Sequence, residues 1–150
     1  MKTTGVLHPD LIGLIAAAGH GDLIVLADAG LRIPEHKTRL DLGVTCGVPS
    51  MAQVLDAVRR ELVIEAVTVA SEFSDWNPEV YADVRRLLDV EPTSKPHAVL
   101  MAEMADSAFA YVKTGECTAY SSVVLECGVN FLDEAVELYK KLHPGAPNPF

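Results

Sequence analysis

The sequence predicts a single three-layer α/β/α domain, and three observations carry that expectation. Short apolar runs rich in branched residues alternate along the chain with longer segments whose apolar residues recur at helical spacing. The chain has 150 residues, 49% of them hydrophobic and 22% charged, enough for one core and short for two. Turn and cap residues punctuate the segments where elements must begin and end, and no internal repeat interrupts the alternation.

His8-Pro9-Asp10 followed by LIGLIAAAG reads as a short helix. Pro9 suits its first position, Asp10 its positive end, and Gly19 a left-handed closing residue. Leu23 to Ala27 is an all-apolar run expected of a strand buried on both faces, broken by Asp28-Ala29-Gly30. A short edge strand is expected at Arg39 to Leu42. Ser50 and Gln53 form a capping box for a helix that carries Met51, Val54, Leu55, Val58 and Leu62 on one face. Ile64 to Ala70 is a second core strand, with Ser71-Glu72 at its exit.

Asn77-Pro78 opens another helix, with Val80, Tyr81, Val84, Leu87 and Leu88 on its apolar side. Glu91 to Pro96 reads as a connector. The stretch from His97 to Ser107 is strand or helix, with helix favoured from Met101. Ala108 to Lys113 and Ser122 to Leu125 are two late strands joined through Thr114-Gly115-Glu116, with Gly115 as turn residue. Asn130 is the expected cap of a terminal helix through Leu142, which has Asp133 and Glu134 in its first turn and Lys140 and Lys141 in its last. Pro144 to Phe150 reads as an irregular tail.

Charge and motifs exclude several function classes. With 12 Lys and Arg against 21 Asp and Glu, the formal charge is −9, which repels a polyanion, so no nucleic-acid partner is expected. The N-terminus lacks a basic-then-apolar leader and no apolar stretch reaches membrane-spanning length, so the expectation is a soluble, cytoplasmic protein with no membrane partner. Phosphate-loop, dinucleotide and nucleophile-elbow patterns are absent. Cys46, Cys117 and Cys127 have neither metal-ligand nor redox-motif spacing, so three reduced, packed thiols and no metal or other cofactor are expected.

What remains is Gly19-His20-Gly21-Asp22, in a loop between a helix and a strand. A lone loop histidine is commonly a surface residue, yet one flanked by glycines lets a ligand approach, and an imidazole is the side chain whose ordinary range suits proton transfer near neutrality. Asp28 at a strand end accepts hydrogen bonds either from ligand hydroxyls or from turn amides. Tyr120 is either a ligand-facing phenol or a core aromatic with a hydrogen-bonded tip. The pairs Glu61/Glu65 and Glu134/Glu137 read as surface charges without a role.

These segments resemble the ribose pyranase/fucose mutarotase family. GHGD and Asp28-Ala29-Gly30, Ile33-Pro34, Arg39-Leu40-Asp41, Gly47-Val48-Pro49-Ser50, Val67 to Glu72 with Asn77-Pro78, Thr114-Gly115-Glu116-Cys117, Tyr120 and Gly128-Val129 are similar to its motifs in order and spacing. The likeness marks residues 1–131 as the family-like domain and 132–150 as a helix and Pro-rich tail beyond the usual family ending. It implies a mostly parallel central sheet and a cofactor-independent isomerase that interconverts cyclic forms of a monosaccharide, ribose or fucose, by acid–base ring opening and reclosure. It also implies a ring-shaped, decamer-like homo-oligomer with sites near subunit contacts. The alternative is a non-catalytic monosaccharide-binding or transport-accessory protein.

By position, the resemblance makes His20 the proton donor, Asp28 a sugar-binding carboxylate, and Tyr120, Ser121 and Ser122 the sugar-lining element, with Ser122 where the family has Asn. A second family histidine falls on Ala98, so His97 takes that role only through a one-residue shift. The segment Ala105 to Val112 and GHGD look more like the mutarotase branch.

Overall fold

Leu23–Ala27 forms β1, the strand around which the molecule is organised. The computed structural model describes residues 2–147. Around β1 are α1 (Pro9–Ala17), β2 (Thr38–Asp41), α2 (Met51–Arg59), β3 (Ile64–Ala70), α3 (Phe73–Trp76), α4 (Pro78–Leu87), β4 (Thr93–Lys95), α5 (His97–Ser107), β5 (Ala108–Lys113), β6 (Val123–Cys127) and α6 (Leu132–Leu142). The sheet order is β2-β5-β1-β6-β3-β4. β1 pairs parallel to β5 and antiparallel to β6; β6 is likewise antiparallel to β3, so it alone runs against the other five strands.

The alternating pleat of β1 sends its side chains into two cores. Ile24 and Leu26 join Leu11 and Ile15 of α1, Leu55 and Val58 of α2 and Val84 of α4 on one face. Val25 and Ala27 meet Leu100 and Met104 of α5 on the other. Helices therefore cover both faces, giving the three-layer α/β/α arrangement with a mostly parallel sheet. The Ser50 capping box forms in full, with the Ser50 hydroxyl accepting from Gln53 N–H and the Gln53 amide oxygen from Ser50 N–H.

Several local expectations are corrected. The helix α1 ends with Ala18 extended, and the left-handed position falls on Gly21, φ 81°, instead of Gly19. The connector contains β4, a three-residue edge strand too short to show periodicity, pinned where the Thr68 and Thr93 hydroxyls meet at 3.0 Å. The helix α5 begins at His97, four residues before Met101. Between Glu72 and Asn77 an additional turn of helix, α3, buries Phe73. β5 and β6 are not neighbours, because β1 lies between them.

Gly115 is required by close approach rather than by a turn conformation: a Cβ there would lie 2.5 Å from the Val48 carbonyl oxygen and 2.7 Å from that of Thr45. Phe131 rather than Asn130 occupies the N-cap of α6, without a side-chain cap. Cys46 and Cys117, expected as thiols, are paired as a disulfide across a Cα separation of 5.7 Å, while Cys127 is free and buried. The folding of residues 43–49 against 114–117 brings the first two together, which a separation of 71 residues conceals. Of the tail, residues 148–150 lie outside the described residues, as does the side chain of Asp133. No helix among the described residues is long and apolar enough to cross a membrane.

Candidate functional site

Parallel strands β1 and β5 end side by side, and the segments leaving their C-terminal ends frame a cavity of about 940 Å³. Such edges are where open α/β sheets take their ligands. Asp28, the first residue after β1, is buried at 8% exposure. Its Oδ1 accepts from Gly30 N–H at 3.0 Å and its Oδ2 from the Ser122 hydroxyl at 2.8 Å. The same Ser122 oxygen accepts from Asp28 N–H at 3.1 Å, so the serine fixes both the backbone and the carboxylate of Asp28.

Tyr120 enters the cavity from the segment between β5 and β6, at φ 61°, a left-handed conformation uncommon for a bulky side chain. Its ring lies edge-on between two others, 5.3 Å from Trp76 and 5.1 Å from His97. The conformation is held by neighbours. Glu116 is buried, and its Oε1 accepts from Cys117 N–H, Thr118 N–H and the Thr118 hydroxyl, while Oε2 accepts from Met51 N–H at the start of α2. The Asn77 amide donates to the Ala119 carbonyl.

His97 lines the cavity and Ala98 is exposed without lining it, so the chain places the histidine, not the alanine, beside Asp28 and Tyr120. Its Nδ1 is shielded from solvent with no hydrogen-bond partner among the described residues. The cause of this placement is a nonlocal cap. Pro96, at the N-cap of α5, has no side-chain acceptor, and the Glu72 carboxylate at the end of β3 accepts His97 N–H through both oxygens, at 3.2 and 3.0 Å. Its own backbone N–H, then that of His97, hold the Glu72 carboxyl below the usual range. The tie is therefore intact at neutral pH and is lost as pH falls through that lowered value.

Other predicted residues stand elsewhere. Ser121 is fully buried with its hydroxyl donating to the Thr118 carbonyl, and neither it nor Ser122 lines the cavity. His20 precedes β1, whereas Asp28 follows it; five strand residues at roughly 3.3 Å each put about 16 Å between the two ends. A monosaccharide cannot bridge that span, so one chain does not bring His20 to the cavity that holds Asp28, His97 and Tyr120. His20 instead meets Glu65, with Nε2 and Oε2 2.7 Å apart, and both side chains are about half exposed.

Sequence reasoning also missed groups at the cavity. Arg32 is the one cationic side chain lining it among the described residues, and Met101, Ala102 and Ala105 of α5 form an apolar wall. The wall was recoverable from helical spacing once α5 was known to start at His97; Arg32 gave no signal. Among the described residues no group of three or more His, Cys, Asp or Glu is arranged to hold a metal ion.

Residues 1–130 match the model of the RbsD / FucU transport protein family. The chain belongs to this family. It is 44% identical over 131 residues to a D-ribose pyranase of Paracidovorax citrulli and 40% identical over 131 residues to that of Geobacillus thermodenitrificans, covering 87% of this chain and 100% and 99% of theirs. Among solved structures, Bacillus subtilis RbsD complexed with D-ribose superposes with a TM-score of 0.82 at 32% identity, over 87% of this chain and 100% of that one. The fucose mutarotase of Streptococcus pneumoniae in complex with L-fucose gives 0.68 at 26% identity, over 82% and 94%. The residues matched by the family model precede α6 and contain every cavity residue named above.

Proposed function

We propose that this chain is an isomerase that interconverts cyclic forms of a monosaccharide, with D-ribose the first sugar to test and L-fucose the second. The observation that carries the reading is the set Asp28, His97 and Tyr120 at the C-terminal edge of β1 and β5, in a member of a family whose relatives are D-ribose pyranases and a fucose mutarotase. Asp28 accepts from sugar hydroxyls with an orientation set by Ser122, and Tyr120 and His97 offer an aromatic edge and polar tips. Ser121 and Ser122 support the element from behind the cavity.

The chemistry asks for little. Ring opening breaks the bond between the anomeric carbon and the ring oxygen; the ring oxygen takes one proton and the anomeric hydroxyl gives one up, leaving the open aldehyde. Rotation and reclosure, through the same hydroxyl or another, return the protons. An acid and a base suffice, a positioned pair contributing about 10² to 10⁴ in rate, so the reaction needs no metal or other cofactor. In this reading His20 is the acid, and because it stands at the far end of β1 it reaches the sugar bound by a neighbouring copy. The assembly is then a ring-shaped, decamer-like homo-oligomer in the cytoplasm. Exposed apolar side chains such as Leu7, Val44, Val48 and Val99 supply contact surface for that assembly.

Mixing two inactive variants tests both the activity and the shared site. His20→Ala retains the cavity and Asp28→Asn retains His20, so each alone fails to accelerate ring exchange, while the two co-assembled regain part of it. Activity that stays absent in verified mixed oligomers contradicts a site shared between copies.

A further inference from the structure

We infer that Glu65 is the positioning residue of His20: its carboxylate fixes the tautomer and rotation of the imidazole so that Nδ1 is the nitrogen presented to the sugar. The inference rests on the reading of His20 as the acid, and deepens it.

A carboxylate near neutral pH only accepts hydrogen bonds, so the 2.7 Å contact with Glu65 Oε2 requires the proton on His20 Nε2. No hydrogen bond occupies Nδ1 among the described residues, which leaves it to give and retake the proton of the ring oxygen. The partner comes from outside the histidine's own loop. Glu65 lies near the start of β3, two strands from β1, and β6 lies between them. Its path is kept clear at Gly128, where a Cβ would stand 3.1 Å from Glu65 Cβ and 3.4 Å from Oε2.

The backbone beneath His20 is itself fixed. Gly21 N–H donates to the Cys127 carbonyl at 2.7 Å, and Gly19 N–H to the Asp22 carboxylate at 2.8 Å. Ionisable groups at this end of the sheet include Asp22, already engaged by Gly19, Glu126, whose residue pairs with Leu23 and Ala66, Cys127, whose buried thiol is pushed up to about 11, and, at the start of β5, Asp106 and Lys37, whose ammonium donates to the Asp106 and Ala108 carbonyls. None of them is hydrogen-bonded to the imidazole.

The test is the rate of sugar-ring exchange for wild type, Glu65→Gln, Glu65→Ala and His20→Ala, each with a thermal melt. In Glu65→Ala the imidazole is free to rotate and to carry its proton on either nitrogen, whereas Glu65→Gln keeps an amide oxygen that accepts from Nε2. The expected fall in kcat for Glu65→Ala is about tenfold or more, with KM little changed and the melting temperature unaltered, and Glu65→Gln recovers part of it. In a His20→Ala background, Glu65→Ala should have no further effect. Wild-type rates in Glu65→Ala, with His20→Ala inactive, overturn the role of Glu65 and leave His20 standing. A rate loss that tracks the folded fraction overturns it equally. Full activity in His20→Ala removes the reading on which the inference rests.

Discussion

Replacing His20 with alanine is expected to lower sugar-ring exchange by about 10² or more while the protein stays folded. The side chain is 52% exposed and its one hydrogen bond among the described residues runs to Glu65, itself 47% exposed. A substitution of that kind changes stability by no more than about 0.5 kcal/mol. The separation of effects is what makes the variant informative: a residue holding the loop for structural reasons would lower the melting temperature, and a proton-transfer group would not. Exchange between sugar forms, followed by magnetisation transfer at equal protein concentration beside a thermal melt, gives both readings. Exchange as fast as wild type removes His20 as the acid, and an unfolded variant makes it a structural residue.

The second large effect is expected at Gly115, far from His20. Alanine there places a methyl group 2.5 Å from the Val48 carbonyl oxygen and 2.7 Å from that of Thr45, and backbone atoms cannot rotate aside as a side-chain tip would. One of the two segments must move. They are stitched by Gly47 N–H to the Gly115 carbonyl at 2.6 Å, Gly115 N–H to the Pro49 carbonyl at 2.8 Å, and the Cys46–Cys117 disulfide. Overpacking of this kind costs about 1–3 kcal/mol. The displaced segment leads directly to Tyr120, so sugar binding should weaken along with stability. Denaturant unfolding and sugar titration measure the two; unchanged values for both would mean that the contact of residues 45–48 with Gly115 is looser than described.

How much of this was legible in the sequence varies with how local the cause is. β1, β3 and β5 could be read to the residue because runs such as LIVLA bury both faces and end at abrupt changes of composition. The Ser50 capping box was equally plain, since its two partners lie three residues apart. The start of α5 was not, because its cap is a glutamate 25 residues upstream, and no local acceptor marks His97 as a first helical residue. β4 exists only through its pairing with β3, and the Cys46–Cys117 pair only through the packing of one segment on another.

The same distinction divides the candidate site. His20, Asp28 and Tyr120 could be selected from loop position and motif, and a single-residue shift was enough to select His97. Their distribution over two ends of β1 could not be appreciated from motifs alone, although a strand of five residues between His20 and Asp28 already implied it. Glu65 looked like a surface charge because its partner, His20, comes from a loop 45 residues away. Ser122, expected at the sugar, was recognisable as a polar residue near a strand start, but its service to Asp28 needs the adjacency of β1 and β6.

This chain is expected to accelerate the interconversion of cyclic sugar forms rather than merely to bind sugar. Magnetisation-transfer NMR on D-ribose, and in parallel on L-fucose, tests it most directly. Saturating the anomeric resonance of one ring form and following its loss from the others reads the exchange rate without a coupled assay. With wild-type protein at catalytic concentration, transfer is expected to appear for at least one of the two sugars under conditions where the free sugar shows none. Sugar resonances that shift or broaden with added protein, with no transfer between ring forms at any pH between 6 and 8, would identify a binding protein and contradict the account.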